Sequence, residues 1–371
     1  MIKRESCVIC QSSLKHLTTF YDFPAYMGIW DRQEEQKYVD MEWSSCTQCG
    51  CIQLGNLVEL DVLYRIPHNP AIGKTWEKHN RTLAQIIQSD NPKSLLDIGG
   101  ANLKIANILC RNKNVNQYDV IDFSSEKYGV KKVDEKINLI NGSIEDYASQ
   151  NKVDSVVMSH TFEHFYEPVE VLKNIRKFIH NKSKIYISVP HIENQLKELF
   201  LNAMMFEHTF YINDHYMELC CRNAGFFVEK IERFSEYNSI YVLARTVNEE
   251  YFRLKFNKNS AKEVFLEFIK NIRNDVKNIN KKIKNKKIYV FGGHVFTQYL
   301  LNFGLHQKNI KCILDNDPDK QNYSLYGTDL EIKNPEIIST EENPIVLLRV
   351  AQYKQEIEQQ LRRLNPQCII I

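Results

Sequence analysis

Glu207 and His208 stand together in Met205-Phe206-Glu207-His208-Thr209-Phe210-Tyr211-Ile212, an acid and an imidazole flanked by apolar residues. Histidine titrates near working pH, and a carboxylate beside it orients the ring or raises its proton affinity. The pair is a candidate general base in a partly dry pocket, with a structural or helix-capping role as the competing reading. A second group, Ser159-His160-Thr161-Phe162-Glu163-His164-Phe165, follows the strand-like run 153–158. A third is sulfur: Cys7 and Cys10, then Cys46 and Cys49, form two Cys-x-x-Cys pairs.

Tetrahedral zinc favours four thiolates, and each short spacing supplies two ligands from one tight turn. All four positions are committed, which leaves no open coordination place for catalysis, so the expected metal is structural. Cys51 is a possible substitute ligand. Four buried thiols or a redox pair are the competing readings, although a redox function needs only one of the pairs.

These residues need elements to position them. Ser94-Leu95-Leu96-Asp97-Ile98 reads as a buried strand, and Gly99 and Gly100 allow a sharp turn with close approach by a ligand. A helix is expected at 103–110. Tyr118-Asp119-Val120-Ile121-Asp122 reads as the second strand, and Asp122, 25 residues after Asp97, falls where a carboxylate accepts both ribose hydroxyls. Further strands are expected at 137–140, 153–159 and 183–190, with a helix near 168–180. Two runs at 228–231 and 239–244 suit an antiparallel edge. This alternation predicts an α/β protein with a parallel sheet covered on both faces.

The order LLDIGG, acidic second-strand end, GSIEDY and SHTFEHFYEP resembles the class I S-adenosylmethionine-dependent methyltransferases. The resemblance implies that Asp97, Gly99 and Gly100 hold the methionine side of the cofactor and that Asp122 takes the ribose. It places Ser143, Ile144 and Glu145 near adenine, and Ser159 and His160 between cofactor and acceptor.

Downstream, Val264, Phe265, Phe268, Ile272, Val276, Ile279 and Ile283 recur at helical spacing and suit an interdomain or subunit surface. Lys287-Ile288-Tyr289-Val290-Phe291-Gly292-Gly293 opens a second, smaller strand–turn–helix unit. The whole arrangement is similar to the sugar C-methyltransferases of nucleotide-deoxysugar pathways, which have a zinc-binding front module, a methyltransferase core and a Rossmann-like tail. Cys7, Cys10, Cys46 and Cys49 match that family's metal positions and Glu207-His208 its catalytic pair. Phe291-Gly292-Gly293 and Asp315-Asn316-Asp317-Pro318 match its third domain. The family commonly has tyrosine three residues before the histidine, where this chain has Met205, and an aromatic residue where it has Arg65.

The expected division is a zinc-binding module at 1–60, a bridging substrate wall at 61–90 and a methyltransferase domain at 91–250. A helical linker at 251–285 and a Rossmann-like domain at 286–371 complete it. The resemblance implies carbon methylation of a nucleotide-linked keto-deoxysugar. His208 takes the proton beside the ketone, Glu207 supports the imidazole, Tyr64, His68 and Tyr211 are candidates to hold the sugar or the enolate oxygen, and His164 supports the same pocket. Oxygen methylation of a capsule or surface-glycan precursor is the nearest alternative. A non-catalytic zinc-stabilised scaffold is a further one.

A formal charge of +2 in 371 residues argues against a nucleic-acid partner held by a broad basic surface. No run of about 20 apolar residues suits a membrane span. Met1 to Cys7 contains no apolar signal-like stretch, so the expected location is cytoplasmic, with free thiols and a monomer or homodimer.

Overall fold

The computed structural model describes residues 1–30, 35–64, 73–123, 134–147, 151–235, 238–246 and 260–371. Its first part contains β1 (Ile2–Lys3), β2 (Leu14–Pro24), β3 (Ile29–Trp30), β4 (Tyr38–Cys46), β5 (Ile52–Leu54) and β6 (Asn56–Leu57). Strands β2, β4 and β5 form an antiparallel sheet in that order. Val39, Met41 and Trp43 occupy alternate positions of β4 and are buried, as a pleated strand with one covered face requires. Both Cys-x-x-Cys turns sit at one end of this sheet, where Leu14 pairs with Cys46.

After α1 (Leu60–Leu63) and α2 (Lys74–Gln88) comes the large sheet, built from β7 (Ser94–Ile98), β8 (Gln117–Asp122), β9 (Ile137–Asn141), β10 (Val153–Ser159), β11 (Ile179–Pro190), β12 (Phe226–Phe234) and β13 (Ser239–Thr246). Helices α3 (Lys104–Leu109), α4 (Pro168–Ile175), α5 (Ile192–Lys197) and α6 (Asp214–Asn223) intervene. The strand order is β12-β13-β11-β10-β7-β8-β9, with β13 antiparallel to both of its neighbours. The central strands are covered on both faces, which is why β7 and β10 read as near-continuous apolar runs. Chain direction across the sheet reverses between β7 and β10, so a crevice opens at their carboxyl ends, the usual ligand position in such folds.

The last part runs through α7 (Ser260–Lys282), β14 (Ile288–Phe291), α8 (Val295–Asn302), β15 (Ile310–Leu314), β16 (Ser324–Leu325), β17 (Ile332–Lys333), β18 (Ile345–Leu348), α9 (Lys354–Leu364) and β19 (Ile369–Ile370). Its five-stranded sheet, β17-β15-β14-β18-β19, is wholly parallel. Helix α7 buries the stripe from Phe265 to Ile279, continued by Ile283 just past its end, and Phe265 meets Trp43 edge-on at 5.5 Å. This part also grips the front module. Ser324 and Leu325 pair with Trp30 and Ile29, Trp30 Nε1 donates to Thr328 O at 3.0 Å, and Gln298 Nε2 donates to Tyr26 O and Tyr326 O.

The ten cysteines form no disulfides. Among the described residues, no helix is long and apolar enough to cross a membrane.

Candidate active site

The crevice is built from backbone that only glycine adopts cheaply. Gly99 has φ +79°, and a Cβ there would lie 2.3 Å from Thr161 Oγ1. A Cβ on Gly100 would lie 2.4 Å from the Asp97 carboxyl carbon. Asp97 is buried. Its Oδ2 accepts a 2.9 Å bond from the Tyr118 hydroxyl, while Oδ1 has no hydrogen-bond partner among the described residues. Burial pushes this carboxyl up to about 7, against a lowering by the Tyr118 hydroxyl and with a small further rise from Asp122. A buried carboxylate oxygen without a donor suits a cationic ligand group, such as the ammonium of a methionine moiety.

Asp122 ends β8 opposite Asn141 of β9, and its Oδ2 accepts from Ala101 N at 3.4 Å. The following turn carries Ser143, Ile144 and Glu145. The Ser143 hydroxyl donates to the Glu145 carboxylate, and buried Ile144 offers its carbonyl to Asn174 Nδ2 at 2.6 Å. This turn follows Asn141, the residue paired with Asp122.

On the opposite lip, β10 ends at Ser159 and the chain turns through His160 at φ +52°. His160 Nδ1 lies 3.1 Å from Glu163 Oε1, and its ring meets Trp76 and His79 edge-on at 4.9 and 5.1 Å. His79 Nε2 bonds Ser188 Oγ at 2.7 Å. Burial lowers both imidazoles to about 3, so both are neutral at physiological pH. Glu163 lies in the single 3₁₀ turn Phe162–His164 and is 1% exposed; burial raises its pKa while His164 and His208 pull it down.

The loop ahead of α6 delivers the remaining groups. His208 Nδ1 lies 3.0 Å from Ala203 O, and a carbonyl only accepts, so Nδ1 carries the proton and Nε2 is the basic nitrogen of the neutral ring. His208 and His164 rings are 5.3 Å apart, and one polar atom each of Glu163, His164 and His208 falls within 4.8 Å of the others. Glu207 Oε2 lies 4.0 Å from His164 Nδ1, and Tyr64 meets His164 edge-on at 6.4 Å. His68 and Arg65 lie outside the described residues.

Tyr211 is placed elsewhere. Residues 209–211 run as an extra strand against β5, with Leu54 N donating to Thr209 O at 2.9 Å and Tyr211 N to Ile52 O at 2.7 Å. The Tyr211 ring is fully buried and edge-on to Tyr216 at 5.9 Å, beneath the cysteine module. Glu163 is the group that the expected site lacked. Its spacing from His160 alone did not mark it, since His160 precedes the turn at φ +52°.

The four cysteines converge. Cys7 and Cys49 Sγ are 3.6 Å apart, Cys10 and Cys46 Sγ 3.4 Å, and all four sulfurs lie within 4.8 Å of one another. Backbone N–H groups of Ile9, Gln48 and Cys49 point at Cys7 and Cys46 Sγ. This is a donor set able to hold a metal ion. Cys51 is not part of it, because its thiol is turned to Ile52 O and Tyr211 O in the core.

A parallel sheet with one reversed strand, a glycine turn at its switch point and acidic residues ending its first two strands define the class I methyltransferase fold. A family model described as a methyltransferase domain matches residues 75–231, and one described as a C-methyltransferase C-terminal domain matches residues 230–368. The chain is an S-adenosylmethionine-dependent methyltransferase with a small cysteine-cluster module at its front. Three of the solved structures to which it is similar follow. The plantazolicin methyltransferase BpumL in complex with SAH is 16% identical, with 46% of this chain and 85% of that chain covered and a TM-score of 0.39. CalO1, a methyltransferase in calicheamicin biosynthesis, is 15% identical, with 46% and 54% covered and a TM-score of 0.39. The mitomycin 7-O-methyltransferase MmcR is 12% identical, with 46% and 57% covered and a TM-score of 0.38. No curated protein matches the chain.

Proposed function

We propose that this enzyme methylates the carbon beside the ketone of a nucleotide-linked deoxysugar, with His208 as the base. The observation that carries the reading is the His208 hydrogen bond to Ala203 O, which leaves Nε2 as the basic nitrogen of a ring grouped with His164 and Glu163. The match of residues 230–368 to a C-methyltransferase C-terminal domain supports carbon as the acceptor.

S-adenosylmethionine supplies an electrophilic methyl group when bound. Asp97 binds its ammonium, Asp122 its ribose hydroxyls, and Ser143, Ile144 and Glu145 its adenine, while Gly99 and Gly100 let backbone approach it. Ser159 and His160 separate it from the acceptor. On the acceptor, the carbon–hydrogen bond beside the ketone breaks, the proton goes to His208 Nε2, and the electron pair moves onto the carbonyl oxygen. Tyr64, His68 and His164 hold that oxygen and the sugar, and Glu207 acts through His164. At the front, Cys7, Cys10, Cys46 and Cys49 hold a structural Zn²⁺. Sulfurs about 2.3 Å from a tetrahedral zinc stand about 3.8 Å apart, close to the separations of the converging pairs.

The test is turnover of a panel of nucleotide keto-sugars with labelled S-adenosylmethionine, the methyl being located by product NMR. The expected product carries a new carbon–methyl bond and has lost the adjacent hydrogen, and His208→Ala slows its formation by about 10²–10⁴-fold. An oxygen-linked methyl, or near-normal turnover by His208→Ala, overturns the reading.

A further inference from the structure

We infer that Glu163, and not the adjacent Glu207, is the carboxylate that sets the basicity of His208. It is a positioning residue acting through the imidazole, and the inference rests on the reading of His208 as base. The argument begins with what Glu163 lacks. It is 1% exposed, Oε1 engages His160, and Oε2 has no hydrogen-bond partner among the described residues. A buried carboxylate left so is costly unless a positive charge forms beside it.

The ion-pair partners that the described residues give Glu163 are imidazoles, at 3.1 Å from His160 and 4.0 Å from His164. His160 is held neutral by its surroundings and contributes only an N–H dipole. The charge that can answer Glu163 is therefore a proton arriving on His208 or His164, both of which bring a nitrogen within 4.8 Å of its carboxylate. His208 acquires such a proton when it takes one from the acceptor. Glu207 is placed for a different task, because its carboxylate stands 4.0 Å from His164 Nδ1.

Among the described residues, the turn after β10 brings Glu163 and His164 to His208, Glu207 precedes it in its own loop with a carboxylate 4.0 Å from His164, and Tyr64 packs on His164. Removing the Glu163 charge lowers the proton affinity of His208. The acidic limb of the rate profile then moves to lower pH, and the plateau falls because the base is weaker.

The experiment titrates the His208 ring by NMR in full-length, zinc-loaded protein with labelled histidine, its signal assigned by loss in His208→Asn. Wild type is compared with Glu163→Gln and Glu207→Gln, and S-adenosylhomocysteine affinity is measured for each. Glu163→Gln should lower the His208 pKa by about one unit, a tenfold loss of proton affinity. Glu207→Gln should move His164 more than His208, with cofactor-product binding kept within about twofold in both. An unmoved His208 in Glu163→Gln, or a larger shift in Glu207→Gln, overturns the inference. Should Glu163→Gln fail to fold, Glu163→Asp withdraws the carboxylate by one methylene and should give a smaller shift of the same sign; no shift overturns the inference equally. None of these readings needs an acceptor, so a coupled pair in an enzyme that ignores keto-sugars leaves this inference standing while the proposed function falls.

Discussion

With Asp97 as the proposed ammonium ligand, cofactor binding should depend on pH. In the free protein its carboxyl titrates at about 7 because it is buried, and an ammonium against Oδ1 favours the charged form. The sign follows: affinity is full above pH 7 and weakens about tenfold for each unit below, until the bound carboxyl itself takes a proton. Calorimetry with S-adenosylmethionine at pH 6 and 8 should show that loss, and Asp97→Asn should bind weakly at both with no slope. Gly100→Ala should cost at least tenfold in the same measurement, since the added methyl enters the space of the Asp97 carboxylate. Asp97, the glycines and Asp122 were legible in the sequence because a strand, its turn and the next strand place them locally. Glu163 was not, because its meaning depends on the loop carrying His208 folding onto a turn more than forty residues earlier in the chain.

The segment 203–211 is the element that joins sulfur to chemistry. Its far end is a strand added to β5, and Arg4 clamps it by donating to Leu54 O, Thr209 O and Tyr166 O. The cysteine cluster closes the same small sheet through Cys46 of β4. With the proposed zinc in the cysteine cluster and His208 as the proposed base, a chelator, or Cys46→Ser, should therefore unfold the front module and abolish methyl transfer by releasing His208. The crevice belongs to the large sheet, so S-adenosylhomocysteine should still bind within a few-fold. Loss of near-ultraviolet dichroism from Trp43 alongside retained calorimetric binding is the expected pair of results. The added strand also explains why the sequence placed Tyr211 on the substrate. Three residues, Thr209 to Tyr211, are too few to show a period from which their facing can be read, and only pairing with β5 assigns Tyr211 to the core. The antiparallel edge, by contrast, was readable in the β-branched and aromatic runs that became β12 and β13.

Across the molecule, the last part of the chain covers the first. Tyr26, Trp30 and Tyr326 form one buried aromatic cluster, while Phe20 and Phe23 pack on Tyr299 of α8. The Tyr299 hydroxyl reaches Met204 O, so the second parallel sheet also braces the loop that carries His208. Trp76, beside His160, donates to the Tyr353 hydroxyl at 3.1 Å and closes the crevice wall from the same side. A chain ending at residue 285 should expose these aromatic faces, bind a hydrophobic dye and lose methyl transfer. Thermal melting and dye fluorescence measure the first two effects. Two-residue strands such as β3 and β16 carry no pattern of their own, so this closure was invisible in the sequence even though both flanking units were not.

The pairing of Trp30 with Ser324 spans 294 positions. Closing a flexible loop of that length costs about 5 kcal/mol in chain entropy, and the cost shrinks once the intervening segment is compact. During synthesis the front strands emerge first and must wait for the last domain before their aromatic faces are covered. The four thiols wait with them, open to oxidation as well as to metal. Slow translation of the final third would thus be felt as damage at the opposite end of the polypeptide.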